Sequence, residues 1–366
     1  MKHSNYKGFE IHPAAFQESA GNSSDYPGNS SDSSENSSDS PENRAVRCTL
    51  CPHGCVLGDG KSGICRTRVN LDGVLYTTAF GNPCSISIDP IEKKPLSHFC
   101  PGTEILSLAT AGCNFRCLNC QNWSISQTSP LETDNYTLLP DAVVEQALKR
   151  GVPAVAFTYT EPTVYYEYML QIAQSAKRRG VKTVMVSNGY INEQPLRELC
   201  SYLDAANIDL KCFDDKIYRT LTGGSLDPVL NSLKILKESG VWLEITNLLI
   251  PGVTDSPEMV ENMCRWLARN GFIDTPIHFS RFFPTYKLSA VQPTPESTLK
   301  EAAQIASAAG LRYVYVGNNP SLNGESTVCP GCGKVVVHRS GYKVIENNIS
   351  NGSCSFCGEP VAGVWG

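Results

Sequence analysis

Short apolar runs alternate with amphipathic stretches from residue 104 onward. The apolar runs predict six buried strands, with a seventh candidate at 311–316; the six are 105–110, 152–160, 182–188, 205–213, 242–250 and 276–283. Helical patterns lie between them, several opened by proline or closed by glycine, at 140–150, 162–179, 195–202, 227–239, 257–270 and 296–309. Strands that are apolar on both faces and joined by helices pair in parallel. The pattern therefore predicts an α/β fold, a partial (β/α)6 barrel over residues 102–320, whose binding face lies at the C-terminal ends of the strands.

The segments that flank this barrel have a different character. Residues 1–44 are polar and repeat Asn-Ser-Ser-Asp at a period of seven without an apolar seam, which excludes a coiled coil and predicts a disordered tail. Residues 45–101 contain six cysteines, four of which form a spaced set between 48 and 65, and two short strand candidates, around 73–80 and 84–88. Residues 321–366 contain a further four cysteines. We therefore expect a tail, an N-terminal four-cysteine module, the barrel and a C-terminal cysteine module.

Composition and charge narrow the function classes. The chain has 366 residues and a formal net charge of -5, and residues 1–44 contribute three basic and seven acidic side chains to it, or -4. The remainder of the chain is nearly neutral, so we do not expect a nucleic-acid partner or binding to an anionic membrane. The sequence has no apolar run of about 18 residues and no signal-like N-terminus, so we expect no membrane partner and a cytoplasmic or other reducing location.

Eleven of the 16 cysteines fall into three spaced sets. The sets are Cys48, Cys51, Cys55 and Cys65; Cys113, Cys117 and Cys120; and Cys329, Cys332, Cys354 and Cys357. In a reducing compartment such clustering favours metal thiolates over disulfides. The five scattered cysteines are interpreted as small buried hydrophobic residues; they are Cys84, Cys100, Cys200, Cys212 and Cys264.

The central set predicts a [4Fe-4S] cluster just after the first barrel strand. Spacings of three and two intervening residues wrap a loop around a cubane and give thiolates to three of its irons. The fourth iron stays open to chelate the amino and carboxylate groups of S-adenosylmethionine (SAM), whose reductive cleavage yields a 5′-deoxyadenosyl radical that abstracts hydrogen. A zinc loop completed by a distant cysteine is the alternative.

The two flanking sets indicate further metal sites. Cys329-Pro-Gly-Cys332 and Cys354-Ser-Phe-Cys357 are two knuckles typical of a zinc ribbon, so residues 321–366 are predicted to be a zinc-ribbon-like module. A rubredoxin-like iron centre or an auxiliary cluster is the alternative there. For the set that begins at Cys48, zinc and an auxiliary [4Fe-4S] cluster fit equally, and His53 is a competing ligand.

Five segments together resemble the radical SAM superfamily, within it the group of pyruvate formate-lyase activating enzyme, and more closely the radical enzyme of the AmmeMemoRadiSam system. The segments are Cys51-Pro-His-Gly-Cys55, Ile88-Asp-Pro-Ile-Glu-Lys-Lys-Pro-Leu96, 113–123, Thr158-Tyr-Thr-Glu-Pro162 and Arg281-Phe-Phe-Pro-Thr-Tyr-Lys287. The resemblance covers about residues 45–366 and leaves only the tail outside.

This resemblance implies roles for residues at strand ends. Glu161 stands where the superfamily binds the amino group of SAM. Ser187 and Asn188 occupy a segment that contacts its ribose and methionine. Asp209 and Lys211 match a pair that contacts the methionine end of SAM. The alternative is a solvated ion pair at a strand end.

One position departs from the family pattern. Asn119 replaces the aromatic residue that packs near adenine, so stacking falls to Phe115 or Trp123, and the amide of Asn119 offers a hydrogen bond instead. For substrate contact the sequence favours Arg281 and Tyr286. His278 is on the same strand, and which of its residues face the interior depends on register.

Two other groups of residues have structural interpretations. Tyr165, Tyr166 and Tyr168 are interpreted as packing residues. The pair Lys93 and Lys94 is either a solvated turn or a group placed over the carboxylate of SAM.

Two catalytic functions and one non-catalytic function are consistent with these motifs. The first is a radical SAM enzyme that acts on a small molecule, with an electron donor of flavodoxin or ferredoxin type and with Memo-like and AMMECR-like partner proteins. The second is an activase that installs a glycyl radical on a protein; the extra modules favour the first. The third is a metal-binding scaffold whose cysteines only staple the fold.

Overall fold

The structure is a computed structural model that describes residues 3–20, 44–322 and 324–365. Its first eight strands precede the main sheet: β1 (Asn5–Tyr6), β2 (Phe9–Glu10), β3 (His12–Pro13), β4 (Gln17–Ser19), β5 (Val46–Cys48), β6 (Val56–Leu57), β7 (Arg68–Leu71) and β8 (Val74–Thr77). The strands of the main sheet are β9 (Ser85–Pro90), β10 (Glu104–Ala109), β11 (Ala154–Phe157), β12 (Lys182–Ser187), β13 (Ala205–Asp209), β14 (Trp242–Leu249), β15 (Ile277–Arg281) and β16 (Val314–Gly317). The C-terminal strands are β17 (Thr327–Val328), β18 (Val335–Ser340), β19 (Lys343–Asn347), β20 (Ile349–Ser350) and β21 (Ser353–Cys354).

Eight α-helices and several 3₁₀ turns connect these strands in the described residues. The helices are α1 (Trp123–Ser126), α2 (Pro140–Lys149), α3 (Tyr166–Arg178), α4 (Glu193–Cys200), α5 (Asp215–Thr222), α6 (Leu226–Glu238), α7 (Pro257–Arg269) and α8 (Glu296–Ala308). The 3₁₀ turns are Ile91–Lys93, Pro130–Glu132, Pro162–Tyr165, Tyr286–Leu288 and Pro320–Leu322.

The main sheet has eight strands in the order β16-β15-β14-β13-β12-β11-β10-β9. The seven strands from β10 to β16 are parallel, and β9 pairs antiparallel with β10. All four residues of β11 are buried, as expected for a strand that is covered on both faces. The predicted α/β fold with a parallel sheet is confirmed, and the seventh strand candidate is β16. The sheet ends at β9 and β16, and its closure into a partial barrel stays a prediction.

The six predicted helices are present with their ends within a few residues of the predicted bounds. The sequence pattern missed α5, which carries an N-cap at Asp214 and a left-handed C-cap at Gly223. Those two signals were present in the sequence, but a helix of eight residues offers too short a periodic pattern to be found by periodicity alone. This omission matters because α5 supports the cysteine loop.

The N-terminal module begins earlier than the sequence indicated. Strand β3 pairs with β8, and β4 pairs with β5, where Gln17 lies opposite Cys48. Ile11 and Ala14 are buried in these contacts, so residues 3–20 belong to the module and not to a disordered tail. The polar composition of the whole segment hid these few apolar positions. The Asn-Ser-Ser-Asp repeats at 22–39 lie outside the described residues.

The C-terminal strands form two small antiparallel sheets that lie against the main domain. Val364 exchanges backbone hydrogen bonds with this domain: its N–H donates to His98 (2.7 Å), and its carbonyl accepts from Cys100 (2.7 Å). Among the described residues no helix has both the length and the apolar character needed to cross a membrane.

Candidate functional site

A cavity of about 540 Å³ opens where the parallel strands of the main sheet end. Its lining includes residues that follow β10 to β13, among them all three cysteines of the central set. The segment 92–97 and the C-terminal residues Arg339 and Tyr342 complete the wall. Carboxyl ends of parallel strands share one edge of a sheet, which explains why side chains distant in sequence meet here.

The cysteine loop is held by backbone hydrogen bonds to the end of α5. Arg116 N donates to Thr222 O (2.7 Å) and Leu118 N to Leu221 O (2.9 Å). Within the loop, Phe115 N donates to Cys113 Sγ at 3.3 Å. The three cysteine side chains are partly exposed toward the cavity, so the loop presents thiols to an open space.

Phe115 anchors the loop from behind. Its ring is buried beside Tyr190 and Tyr218, with centroids at 5.0 and 6.0 Å. Gly224 approaches so closely that an added Cβ would lie 2.3 Å from the Phe115 ring. Phe115 is therefore engaged in packing, which weakens its candidacy for stacking on adenine.

Glu161 follows β11 and is the polar centre of one wall. Its carboxylate accepts hydrogen bonds from Ser187 Oγ (2.7 Å), Asn188 N (2.8 Å), and the backbone and hydroxyl of Thr163 (2.9 and 2.7 Å). Burial raises the pKa of Glu161 above its usual value, and these hydrogen bonds oppose the shift. Asn188 also donates to Asn114 Oδ1 (2.8 Å), which ties this wall to the cysteine loop.

Asp209 ends β13, and Lys211 lies two residues after it. Lys211 Nζ lies 2.7 Å from Asp209 Oδ2, and both side chains line the cavity. Burial opposes the charge on Lys211, but the Asp209 carboxylate and the Cys117 thiolate together raise its pKa. The structure thus brings all five predicted SAM contacts and the three central cysteines to one cavity.

Comparison with known proteins identifies the family. The family model described as "Radical SAM superfamily" matches residues 107–267. An uncharacterized protein of Methanocaldococcus jannaschii is 44% identical over 318 residues, which cover 86% of this chain and 95% of that protein. The chain belongs to the radical SAM superfamily. It is also related to the pyruvate formate-lyase 1-activating enzyme of Escherichia coli strain K12, at 22% identity over 56% of this chain and 89% of that enzyme.

One solved structure similar to this radical SAM chain is that of Streptococcus suis SuiB bound to S-adenosylmethionine. It has a TM-score of 0.48 and 14% sequence identity, and the alignment covers 66% of this chain and 56% of SuiB.

Membership of the radical SAM superfamily implies a [4Fe-4S] cluster and SAM, and the residues of the cavity fit both groups. Three thiols from one loop suit a cluster with one open iron. Asn119, next to the third cysteine, is buried in the cavity wall, and its Oδ1 has no hydrogen-bond partner among the described residues. An unsatisfied buried acceptor of this kind fits an amino group of a ligand.

Trp123, the other residue expected to stack on adenine, does not line the cavity of this radical SAM chain. It is 48% exposed and stacks on Tyr286 with ring centroids 5.4 Å apart. Neither ring is part of the cavity lining. Arg281 is likewise outside the lining: its Nε donates to Thr294 O (2.9 Å), and its guanidinium lies over Phe283. Substrate contact by Arg281 and Tyr286 stays a prediction.

An ion-pair cluster lies on the cavity wall at Lys93 and Lys94, for which the sequence left a solvated turn and a contact with SAM open. Lys94 Nζ lies 2.6 Å from Asp89 Oδ2 and over the ring of Tyr159, whose hydroxyl also donates to Asp89. Burial lowers the pKa of Lys94 to about 8. Lys93 bonds the other Asp89 oxygen at 2.8 Å. Lys94 is therefore a buried, ion-paired part of the cavity wall, whereas Lys93 lies on an exposed turn with its ammonium paired to Asp89.

His278 and Ser280 are the residues of β15 that line the cavity. His278 Nε2 lies 2.7 Å from Glu244 Oε2. The Glu244 carboxylate also accepts the backbone N–H groups of Ser97 (2.9 Å) and His98 (2.7 Å). The strand register, which the sequence left open, thus turns His278 inward. No pattern in one sequence distinguishes the inward from the outward residues of such a strand, because both faces are buried.

The remaining predicted packing residues are buried. Tyr165, Tyr166 and Tyr168 have no exposed surface, and their hydroxyls donate to backbone carbonyls of neighbouring elements. Of the five scattered cysteines, Cys100, Cys200, Cys212 and Cys264 are buried, whereas Cys84 is half-buried.

The C-terminal cysteines form a compact four-sulfur group. Cys329 Sγ lies 3.6 Å from Cys357 Sγ, and Cys332 Sγ lies 3.8 Å from Cys354 Sγ. Within the described part of the chain these four are the one set of cysteines whose sulfurs all lie within 4.8 Å of one another. Four thiols at this spacing surround a point suited to a single ion.

Proposed function

We propose that this protein is a radical SAM enzyme in which Cys113, Cys117 and Cys120 hold a [4Fe-4S] cluster and SAM binds in the adjoining cavity. The observation that carries the proposal is the convergence of these three thiols with Glu161 and the ion pair of Lys211 on one space. Bound there, the cluster and SAM supply a 5′-deoxyadenosyl radical that abstracts hydrogen from a substrate.

The side chains of the cavity have separable tasks in this proposal. Asn119 Oδ1 accepts a hydrogen bond from the adenine amino group in place of an aromatic contact. Asp209 and Lys211 face the methionine end, where the ammonium and the carboxylate of SAM need opposite charges. Ser187 and Asn188 hold the carboxylate of Glu161 and position it for the amino group.

The substrate of the proposed reaction is a small polar molecule. The cavity wall beyond the SAM residues carries Lys94, His278 and Arg339, each already paired with a carboxylate. Such ion-paired side chains can exchange a carboxylate partner for a polar group of a substrate. An apolar substrate would bury them without offering a hydrogen bond, which is unfavourable. Arg339 and Tyr342 come from the C-terminal module, which covers one side of the opening.

A second candidate is an activase that installs a glycyl radical on a protein. The relation to the pyruvate formate-lyase 1-activating enzyme of E. coli favours it. Against it stands the wall built by segment 92–97 and the C-terminal module, which narrows the approach for a folded protein. A metal-binding scaffold without catalysis is the third outcome that the experiment below distinguishes.

The proposal includes the finer family and its partners. We place the chain in the AmmeMemoRadiSam group, with Memo-like and AMMECR-like proteins as partners. A flavodoxin or ferredoxin supplies the electron, as is typical of activases in the superfamily, and the reaction takes place in the cytoplasm or another reducing compartment.

The C-terminal module takes a structural zinc ion in this proposal. A tetrahedral site with Zn–S bonds of about 2.3 Å has sulfurs about 3.8 Å apart. The distances of 3.6 and 3.8 Å between the paired sulfurs match that value. A zinc ribbon of this kind stabilises a module whose own apolar core is small.

The function is tested by anaerobic reconstitution with iron and sulfide, followed by incubation with SAM and dithionite. We expect 5′-deoxyadenosine from the wild-type chain and none from Cys117→Ala, with unchanged zinc in both. Cys84→Ala is the matched control, because Cys84 is a half-buried cysteine outside the three sets.

Two results would redirect the proposal. Zinc without iron in the wild-type chain, together with no deoxyadenosine, would contradict the enzyme and support a scaffold. A glycyl-radical signal in the electron paramagnetic resonance spectrum of a co-expressed protein would favour the activase.

A further inference from the structure

The N-terminal cysteines converge from three short segments. Cys48 ends β5, Cys51 and Cys55 are in the loop before β6, and Cys65 is in the loop before β7. The first two segments are joined by a hydrogen bond from Cys48 N to Cys55 O at 2.9 Å. All four side chains line one small enclosed cavity. Since every segment is fixed by backbone contacts, the four thiols form a defined site.

The spacing of the sulfurs distinguishes the kind of metal group. The C-terminal sulfurs lie at the separation of a single tetrahedral ion. Neither the N-terminal four nor the three of the SAM cavity form such a compact group among the described residues. In a cubane each thiolate binds a different iron, so the sulfurs stand farther apart. The N-terminal set thus resembles the central set and not the zinc set.

The gap between two of the N-terminal sulfurs is consistent with a cluster site. A Cβ placed on Gly63 would lie 3.7 Å from Cys65 Sγ and 3.8 Å from Cys55 Sγ, so this glycine borders the gap between the two sulfurs. The rest of the cavity lining is mainly apolar and includes Leu50, Leu57 and Val164. An apolar surrounding that excludes solvent is one of the features by which proteins adjust iron–sulfur centres.

One buried donor points to an anionic occupant. The Thr67 hydroxyl lies 3.3 Å from Cys65 Sγ but donates to Val164 O at 2.9 Å, so it is not that donor. Arg68 is fully buried in the cavity wall, where it pairs with Glu167 and donates to Ala15 O (2.7 Å). Its Nε has no hydrogen-bond partner among the described residues. A buried donor left open beside four thiols fits a sulfide or thiolate acceptor.

We propose that Cys48, Cys51, Cys55 and Cys65 hold a second [4Fe-4S] cluster, fully ligated by thiolates, rather than zinc. His53, whose Nε2 bonds Asn114 O at 2.7 Å, is not needed as a ligand, because four thiolates already give one ligand to each iron. The carbonyl of Cys65 lies 2.7 Å from the position of a Cβ on Gly112, beside the first cysteine of the radical SAM loop. The two cluster sites are therefore neighbours whose cysteine loops touch at Cys65 and Gly112.

The test uses the full-length chain with the three central cysteines replaced, Cys113→Ala, Cys117→Ala and Cys120→Ala. After anaerobic reconstitution we expect about four irons and four sulfides per chain from the remaining site, with one zinc. Two zincs without iron, or one zinc without iron, would overturn the proposal. Because this variant lacks the SAM cluster, its iron content is independent of whether the wild-type chain makes deoxyadenosine.

A reciprocal variant keeps the proposal testable if the triple variant does not fold. Cys51→Ser with Cys55→Ser should lower the iron of the reconstituted chain from about eight to about four, and Cys84→Ser should leave it at eight. Iron of about four in all three proteins would contradict a second cluster. The zinc content and the far-ultraviolet circular dichroism spectrum report that each variant is folded.

Discussion

Glu161 links three parts of the cavity through a single carboxylate. It accepts from the 3₁₀ turn that follows it and from Ser187 and Asn188 at the end of β12. Asn188 in turn reaches Asn114 in the cysteine loop. A residue with this many donors holds the geometry of the cavity and the ligand contact at the same time.

The substitution Glu161→Gln should weaken both the stability of the fold and the binding of SAM. It replaces an acceptor oxygen by an amide group that faces existing donors, so we expect a loss of about 1–3 kcal/mol in the free energy of unfolding. Weaker SAM binding should accompany it, because the carboxylate charge is removed. Urea denaturation and calorimetric titration of the reconstituted protein with SAM measure the two effects.

Glu145→Gln is the control for this substitution. Glu145 is an exposed carboxylate on α2 that faces Arg179 at 3.8 Å, and such pairs contribute little to stability. Equal SAM affinity in wild type and Glu161→Gln would contradict the role assigned to Glu161.

The element that sets the cysteine loop in place is α5, with the glycine turn that follows it. Backbone N–H groups of the loop donate to carbonyls in the last turn of α5, and Phe115 fills the space left by Gly224. The loop's conformation therefore depends on a helix that lies about 100 residues away in sequence.

Gly224→Ala should displace Phe115 and distort the loop. The added Cβ would lie 2.3 Å from the ring, and overpacking of this kind costs about 1–3 kcal/mol of stability. We expect a lower urea midpoint and less iron retained after reconstitution. Gly58→Ala is the control, since its Cβ would meet only Lys61 Cγ at 4.0 Å. Unchanged iron content in Gly224→Ala would show that Phe115 does not support the cysteine loop.

The C-terminal cysteine knuckles, with the zinc ion proposed for them, form the second element with a testable dependence. Cys332→Ser removes one of four ligands, so we expect loss of zinc and opening of β17–β21 without unfolding of the main sheet. Hydrogen exchange followed by mass spectrometry should show faster exchange at 324–365 only. Cys84→Ser serves as the control, and slow exchange at 324–365 in zinc-free Cys332→Ser would contradict a structural role of the ion.

A chain of directed hydrogen bonds joins the C-terminal module to the main domain. Arg339 Nη1 donates to Thr327 Oγ1 (2.9 Å), which lies 2.7 Å from Tyr315 Oη, and Tyr315 Oη lies 2.5 Å from His98 Nε2. His98 Nδ1 lies 2.6 Å from Ala362 O and must donate there, so Nε2 is the acceptor from Tyr315. The C-terminal module is thus hydrogen-bonded to the main domain through His98, which is neutral and fully buried.

The stability of the whole molecule should fall between pH 6.5 and pH 4. Burial lowers the pKa of His98 to about 4, with Arg339 and His278 adding to the shift and Glu244 opposing it. The unfolded chain therefore binds one more proton than the folded chain in this interval, and stability rises with pH across it by about 3 kcal/mol from this group.

The variant His98→Gln isolates this contribution. Its amide can donate to Ala362 O and accept from Tyr315 but does not titrate, so urea midpoints measured from pH 4 to 6.5 should depend less on pH than in wild type. Protonation of cysteine ligands affects both proteins alike and cancels in the comparison. His338→Gln, at an exposed histidine, should keep the wild-type slope; an identical slope in His98→Gln would contradict the assignment.

The sequence by itself determined the parallel α/β core and the residues of the SAM cavity that lie at strand ends. Long apolar runs buried on both faces leave only parallel pairing, and parallel strands bring their ends to one edge. The resemblance to the radical SAM superfamily then assigned Glu161 and Lys211 to that edge. The cysteine spacing likewise indicated three metal sites before any fold was known.

Only the tertiary structure decided what depends on partners distant in the chain. It turned His278 inward and Arg281 away, buried Phe115 against Gly224, and added residues 3–20 to the N-terminal module. It also separated the wide N-terminal sulfurs from the compact C-terminal ones, which the same residue type and similar spacing could not do. The physical reason is that register, packing and sulfur separation are set by contacts between segments, whereas a sequence pattern records only the preferences of each segment alone.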